Sequence, residues 1–153
     1  MPLLSSQYDE PQMLALAMQL ARNLRVGDCL TFHGDLGAGK TTFIRAMIHV
    51  LSGLETVPSP TFTLVQTYDS SMGQLWHFDL YRLKQADELY ELGFEDALSG
   101  GILFIEWPER AKDLLPSTQL QLHLDIAPEG LKRNVTISGD AQWAARLTSL
   151  HQH

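Results

Sequence analysis

Gly34-Asp35-Leu36-Gly37-Ala38-Gly39-Lys40-Thr41-Thr42 satisfies G-x-x-x-x-G-K-[ST], the phosphate-binding loop (Walker A) pattern. The spacing has a physical reason. Glycines allow a tight turn that aims successive backbone N–H groups at an anion. Lys40 is placed to put a positive charge on the terminal phosphates of a nucleoside triphosphate. Thr41 offers a hydroxyl to Mg²⁺. A helix beginning at this point adds its positive N-terminal end. Gly37, Ala38, Gly39, Lys40, Thr41 and Thr42 are therefore the candidate nucleotide-binding residues. The apolar stretch Cys29-Leu30-Thr31-Phe32 precedes the loop and reads as a buried strand. Phe43, Met47, Val50 and Leu51 follow at helical spacing, with Gly53 as the stop.

Upstream of that strand, residues 1–8 read as a lead-in. Asp9, Pro11 and Gln12 have the order of a capping box opening a helix. Met13, Leu16, Ala17, Leu20, Ala21 and Leu24 share one face of it. Downstream, Pro58 and Pro60 exclude helix around Ser59-Pro60-Thr61-Phe62-Thr63. Residues 62–68 and 74–79 read as the strands of a hairpin turning at 70–73. Two short acidic helices are expected over 87–92 and 94–98, ahead of the Gly100-Gly101 break.

Ile102-Leu103-Phe104-Ile105-Glu106 is fully apolar until its last residue, as a central parallel strand should be. Residues 119–126 and 132–138 form a second hairpin pattern around Pro128-Glu129-Gly130, and 141–150 a terminal helix. The pattern predicts a P-loop NTPase-like α/β fold. Its mixed sheet has a parallel core beside the loop, antiparallel hairpins at the edges and flanking helices. No linker divides the 153 residues, so one domain over 1–153 is expected.

Composition narrows the function. A net charge of −7 argues against gripping nucleic acid unaided, because phosphate contacts need clustered Lys and Arg. Cys29 is the only cysteine, which excludes an internal disulfide and fits a buried thiol. No basic, apolar leader opens the chain, and no apolar run approaches the ~20 residues needed to span a bilayer. A cytoplasmic protein with no membrane association is expected.

Hydrolysis needs more than a phosphate loop: a carboxylate for Mg²⁺ or its waters, and a group to orient the attacking water. Glu106, after four apolar residues, has the look of a Walker B carboxylate. Asp79, after Leu75-Trp76-His77-Phe78, is a weaker copy. Either carboxylate also suits a plain strand end at the surface. Thr61 and Thr63 carry hydroxyls in a proline-bent loop of the kind that senses a γ-phosphate, or that makes an ordinary turn. Trp107 reads as a packing residue or as a contact to a partner or base. The six histidines show no metal-ligand spacing, and His77 reads as packed or surface-lying rather than catalytic. Lys132-Arg133 is a basic pair that either covers a nucleotide or lies exposed beside a turn. No Asn-Lys-x-Asp segment is present to read guanine, which leaves adenine preferred.

Four stretches together resemble the TsaE (YjeE) family of small bacterial ATPases required to make threonylcarbamoyladenosine in tRNA. They are the loop at 34–42, Ser59-Pro60-Thr61-Phe62-Thr63-Leu64, His77-Phe78-Asp79-Leu80-Tyr81-Arg82-Leu83 and Glu106-Trp107-Pro108. The first is common to many NTPases and the last three together are specific to the family. Phe62 departs from the pattern, since many relatives carry Tyr there.

The resemblance implies ATP and Mg²⁺ as ligands, with Thr41 and Glu106 at the metal. It implies Asp79, Glu106, Lys40 and Thr61 in the catalytic centre, and Asp9 and Arg133 near the nucleotide. It further implies an accessory role with the partners TsaB and TsaD. TsaD transfers a threonylcarbamoyl group to the adenosine beside the anticodon of tRNAs reading ANN codons, so tRNA is met only through that complex. Two other classes share the loop: a small-molecule kinase and a nucleotide-dependent binding module. A kinase usually has a basic lid, whereas the eleven Lys and Arg residues here are scattered. The two carboxylates argue against pure binding.

Overall fold

The computed structural model describes residues 2–35, 37–58, 64–128, 130–148 and 150. Among these residues seven strands form one sheet: β1 (Pro2–Tyr8), β2 (Cys29–His33), β3 (Val65–Ser70), β4 (Gly73–Asp79), β5 (Gly101–Glu106), β6 (Leu120–Ile126) and β7 (Arg133–Ser138). Their spatial order is β1-β7-β6-β2-β5-β4-β3. The four central strands β6, β2, β5 and β4 run parallel. β3 pairs antiparallel with β4 on one side, and β7 and β1 continue antiparallel from β6 on the other. This is the expected mixed sheet with a parallel core and antiparallel edges.

One expectation is corrected. Residues 2–8 are not a lead-in but the edge strand β1, paired along β7 from Pro2↔Ser138 to Tyr8↔Arg133. Only Leu4 and Tyr8 of this strand are fully buried, so its apolar pattern is too thin to announce it. The pairing partner lies at the far end of the chain, and that contact makes the strand.

Among the described residues the α-helices are α1 (Glu10–Ala21), α2 (Lys40–Ser52), α3 (Glu88–Glu91), α4 (Phe94–Gly100) and α5 (Ala141–Arg146). The capping box of α1 is present. The Asp9 carboxylate accepts from the Gln12 amide at 2.8 Å, and the Asp9 amide donates to the Gln12 side chain at 2.9 Å. Such a cap is worth about 0.5–2 kcal/mol. α2 ends as expected at Gly53, which is left-handed. α5 is shorter than expected and stops at Arg146, whose guanidinium donates to both carboxylate oxygens of Asp28 at 2.9 and 2.7 Å.

Each face of the sheet carries its own core. α1, α2 and α5 bury Leu20, Phe43, Met47 and Trp143 against Phe32, Phe104 and Leu122. α3 and α4 bury Leu89, Phe94 and Ala97 against Phe78, Leu103 and Ile105 on the opposite face. β5 is buried at all six positions, as a central parallel strand covered on both faces must be. Cys29 is buried in the second core, and burial pushes its thiol up to about 12, so it is inert. Among the described residues no helix is long and apolar enough to cross a membrane.

Candidate active site

The four parallel strands end along one edge of the sheet, and the glycine-rich loop leaves the end of β2 there. Ligands of open α/β sheets bind at this edge, beside the point where neighbouring strands diverge. A cleft of about 510 Å³ lies over the loop. Its walls are Gly37, Gly39 and Lys40 to Thr42 from the loop, Asp79 from β4, Glu106 from β5 and Trp107 just after it. Tyr8, Glu10 and Met13 join from the N-terminal segment, and Gly130, Leu131 and Arg133 from the β6–β7 hairpin.

The described residues of the loop turn tightly. Gly37 and Gly39 have φ of +83° and +98°. Helix α2 begins at Lys40, and the Phe43 amide reaches back to the Gly39 carbonyl at 2.9 Å. The amides of Lys40, Thr41 and Thr42 thus fall in the first turn, where a helix has no internal acceptor for them. Ala38 is buried under the loop. Leu36 lies outside the described residues. Arg133 crosses from β7 to donate to the Ala38 carbonyl at 3.2 Å and the Gly37 carbonyl at 3.4 Å. It fastens the loop, while its neighbour Lys132 is not part of the cleft wall.

Lys40 is only 4% exposed. Its ammonium donates to the Gly34 carbonyl at 2.6 Å and sits 3.6 Å from the centre of the Trp107 ring. Burial lowers its pKa, and the charges of Glu106, Glu109, Asp79 and Asp35 oppose that shift. Trp107 holds a left-handed backbone, φ 58° and ψ 49°, that costs a non-glycine residue free energy. Its ring also packs 4.9 Å from Tyr81.

Glu106 is 3% exposed and anchored on both oxygens. Thr41 donates its hydroxyl to Oε1 at 2.9 Å, and His77 Nε2 meets Oε2 at 2.7 Å. Asp79 is the register partner of Glu106 on the adjacent strand. Its carboxylate accepts from the Tyr81 amide at 3.2 Å, starting the short 3₁₀ turn Leu80–Arg82. Burial raises the Asp79 pKa and the neighbouring Glu106 charge raises it further, against the Tyr81 hydrogen bond.

The structure thus brings Lys40, Thr41, Thr42, Asp79, Glu106 and Arg133 to one cleft. Asp9 caps α1, and its neighbours Tyr8 and Glu10, not Asp9 itself, form the wall. Thr61 and Thr63 lie outside the described residues. Tyr8, Glu10, Met13 and Gly130 of the wall carry no sequence signal for the site, and His77 and Leu131 carry little. His77 is fully buried and bonded to Glu106, and its alternation with Trp76 and Phe78 pointed to packing. Leu131 is 81% exposed yet lines the cleft, and only its place in a turn beside Lys132-Arg133 hinted at that.

The donors available for a cation are the Thr41 hydroxyl and the Glu106 and Asp79 carboxylates, all hard oxygens. Among the described residues no three His, Cys, Asp or Glu side chains form a ready cage. Magnesium is ordinarily held by one or two carboxylates together with waters and substrate phosphates, so this donor set fits it.

The family model for threonylcarbamoyl adenosine biosynthesis protein TsaE matches residues 7–135. The tRNA threonylcarbamoyladenosine biosynthesis protein TsaE of Rickettsia felis is 45% identical over 122 residues, 79% of this chain and 71% of that protein. The protein of the same name from Bacillus subtilis is 36% identical over 125 residues, 81% of this chain and 77% of that protein. A crystal structure of Bacillus subtilis YdiB superposes with a TM-score of 0.74 at 28% identity, covering 94% of this chain and 90% of that one.

Proposed function

The chain belongs to the TsaE family, and on that premise we propose that it is a magnesium-dependent ATPase serving threonylcarbamoyladenosine formation in tRNA. The observation that carries the reading is the Thr41–Glu106–His77 chain set beside a buried Lys40 at the mouth of a glycine-rich loop. A site built only to hold phosphate needs no buried, doubly anchored carboxylate.

In this reading the loop amides and the start of α2 cradle the phosphates. Lys40 leaves the Gly34 carbonyl for the terminal phosphate, its charge already desolvated and therefore effective. Thr41 and Glu106 hold the metal, with Asp79 beside them to bind its waters or orient the attacking water. Bound magnesium supplies neutralisation of the charge that develops on the phosphate oxygens. Arg133 keeps the loop in shape. The net charge of −7 fits action beside RNA rather than on it. We assign TsaB and TsaD as the partners, with tRNA reached through them.

The test is release of inorganic phosphate from ATP by the chain alone, then with the partner proteins and tRNA. Slow turnover alone and a changed rate with partners is the expected result. Stoichiometric transfer of phosphate to a metabolite, indifferent to the partners, would replace this reading with a kinase.

A further inference from the structure

Lys40 and Glu106 pose a problem that the cleft has to solve. They carry opposite charges, are 4% and 3% exposed, and line the same cavity. Opposite charges removed from water attract strongly. A direct ion pair between them would take Lys40 from the phosphates and Glu106 from the metal. Both groups are instead held by other partners. The ammonium has the Gly34 carbonyl and the Trp107 face. The carboxylate has Thr41 on Oε1 and His77 on Oε2.

Thr41 alone does not fix the carboxylate, because a single hydrogen bond to one oxygen leaves the group free to turn about its last bond. The contact from His77 removes that freedom. The ring stands on β4, beside β5, and takes the oxygen that Thr41 leaves free. His77 is fully buried, and its Nδ1 has no hydrogen-bond partner among the described residues. An Nδ1–H would be a buried donor without an acceptor, so the geometry places the hydrogen on Nε2, where it is donated to Glu106. A polar ring with an unmet nitrogen, on the face where Leu75 is pure core, has no packing rationale. Its one directed contact is to Glu106.

We propose that His77 is a positioning residue that holds the Glu106 carboxylate against Thr41 and off Lys40, keeping the two buried charges of the cleft apart. The inference rests on the reading of the cleft as a nucleotide site. It makes His77 matter for nucleotide binding even without metal, an effect that metal ligation by Glu106 does not produce.

The experiment is calorimetric titration with ADP in EDTA, then in magnesium chloride. In EDTA, His77→Leu is expected to weaken ADP binding by about tenfold, as Lys40 closes onto Glu106. His77→Gln keeps an amide donor near the Nε2 position and stays within about threefold of the wild type. Adding Glu106→Gln to His77→Leu removes the competing charge and restores binding to within about threefold. A merely structural His77 gives no such rescue. ADP binding by His77→Leu equal to wild type, or a double variant as weak as His77→Leu, overturns the proposal. Should His77→Leu fail to fold, His77→Asn, whose amide ends near Nδ1 and misses Glu106, takes its place against His77→Gln. Absence of ADP binding by the wild type removes the nucleotide reading itself, whereas wild-type binding with an indifferent His77→Leu removes only the role of His77.

Discussion

Substituting Gly34 by Ala tests whether the loop's entry is fixed by steric necessity. Gly34 has φ +141°, a region that side chains rarely enter. A Cβ built there overlaps the Leu124 carbonyl oxygen, lies 3.2 Å from the Leu124 carbonyl carbon and 3.4 Å from Ala38 Cβ. The obstacle is backbone of β6, so it cannot swing aside as a side chain would. Forcing the backbone conformation costs about 1–3 kcal/mol, and overpacking about 1–3 kcal/mol more. A loss of about 2–6 kcal/mol is a large share of the ~5–15 kcal/mol that holds a domain folded. At ~2–4 °C per kcal/mol for a chain of this length, the melting temperature falls by roughly 5–20 °C.

Gly37→Ala supplies the comparison. Gly37 has φ +83° but nothing within 4 Å of a built Cβ. Only conformational strain of about 1–2 kcal/mol applies, or roughly 2–8 °C. Thermal and urea melts of the two variants beside wild type decide the matter. The Gly34 carbonyl is also the acceptor for Lys40, so Gly34→Ala should weaken ADP binding along with stability. Melting of Gly34→Ala within about 2 °C of Gly37→Ala would refute the argument from the Leu124 carbonyl.

In the proposed reading, Lys40→Ala removes the charge that meets the terminal phosphates and should weaken ATP binding by about tenfold or more; unchanged affinity by calorimetry would displace Lys40 from that role. Asp79→Asn keeps an acceptor for the Tyr81 amide but cannot ionise. The folded chain holds the Asp79 proton above its ordinary 3.8, so ionisation costs stability as pH rises past that value. The variant should therefore melt above wild type at pH 7, the two should converge below pH 3.8, and ATP turnover should fall; a wild type that melts higher at pH 7 contradicts this. His33 is lowered from 6.5 to about 4, by burial first and then by the stacked His123 ring 4.3 Å away. The folded chain binds fewer protons than the unfolded one between those values, so stability should fall as pH drops from about 6.5 to about 4. His33→Gln should flatten that limb of a melting-temperature profile, and an unaltered slope would assign it to other groups.

Local chemistry was readable, while contacts between distant segments were not. The capping box at Asp9, the helix start at Lys40 and the stop at Gly53 each depend on a few consecutive residues, and each is found as expected. β5 announced itself because burial on both faces leaves an unbroken apolar run. β1 did not, because its existence depends on β7, more than a hundred residues away. The same distinction runs through the site. Glu106 and Asp79 stood out as carboxylates ending apolar runs, since that pattern is local. That they are register partners is a property of strand pairing. His77 reads as packed or surface-lying in sequence because the sequence shows its neighbours in the chain and not the carboxylate across the sheet.

Strand direction and register explain why these scattered residues form one site. Because β4 and β5 run parallel, Asp79 and Glu106 end at the same edge as the loop after β2. An antiparallel β4 would send Asp79 to the opposite edge, about 20 Å away for a strand of that length. Register is equally strict. His77 and Asp79 share one face of β4, and a slip of one residue turns both to the other face. Gly101, at the start of β5, helps to hold that register. A Cβ there would lie 2.6 Å from the Gln74 carbonyl oxygen and 2.6 Å from Trp76 Cδ1. Its φ of −141° is ordinary, so the requirement is for space alone. The absent side chain lets the Trp76 indole and the β4 backbone close against the first residue of β5. Five residues further along, the same pairing sets Asp79 beside Glu106. The geometry of the carboxylates is thus held at the far end of the strands, by a residue that never touches the cleft.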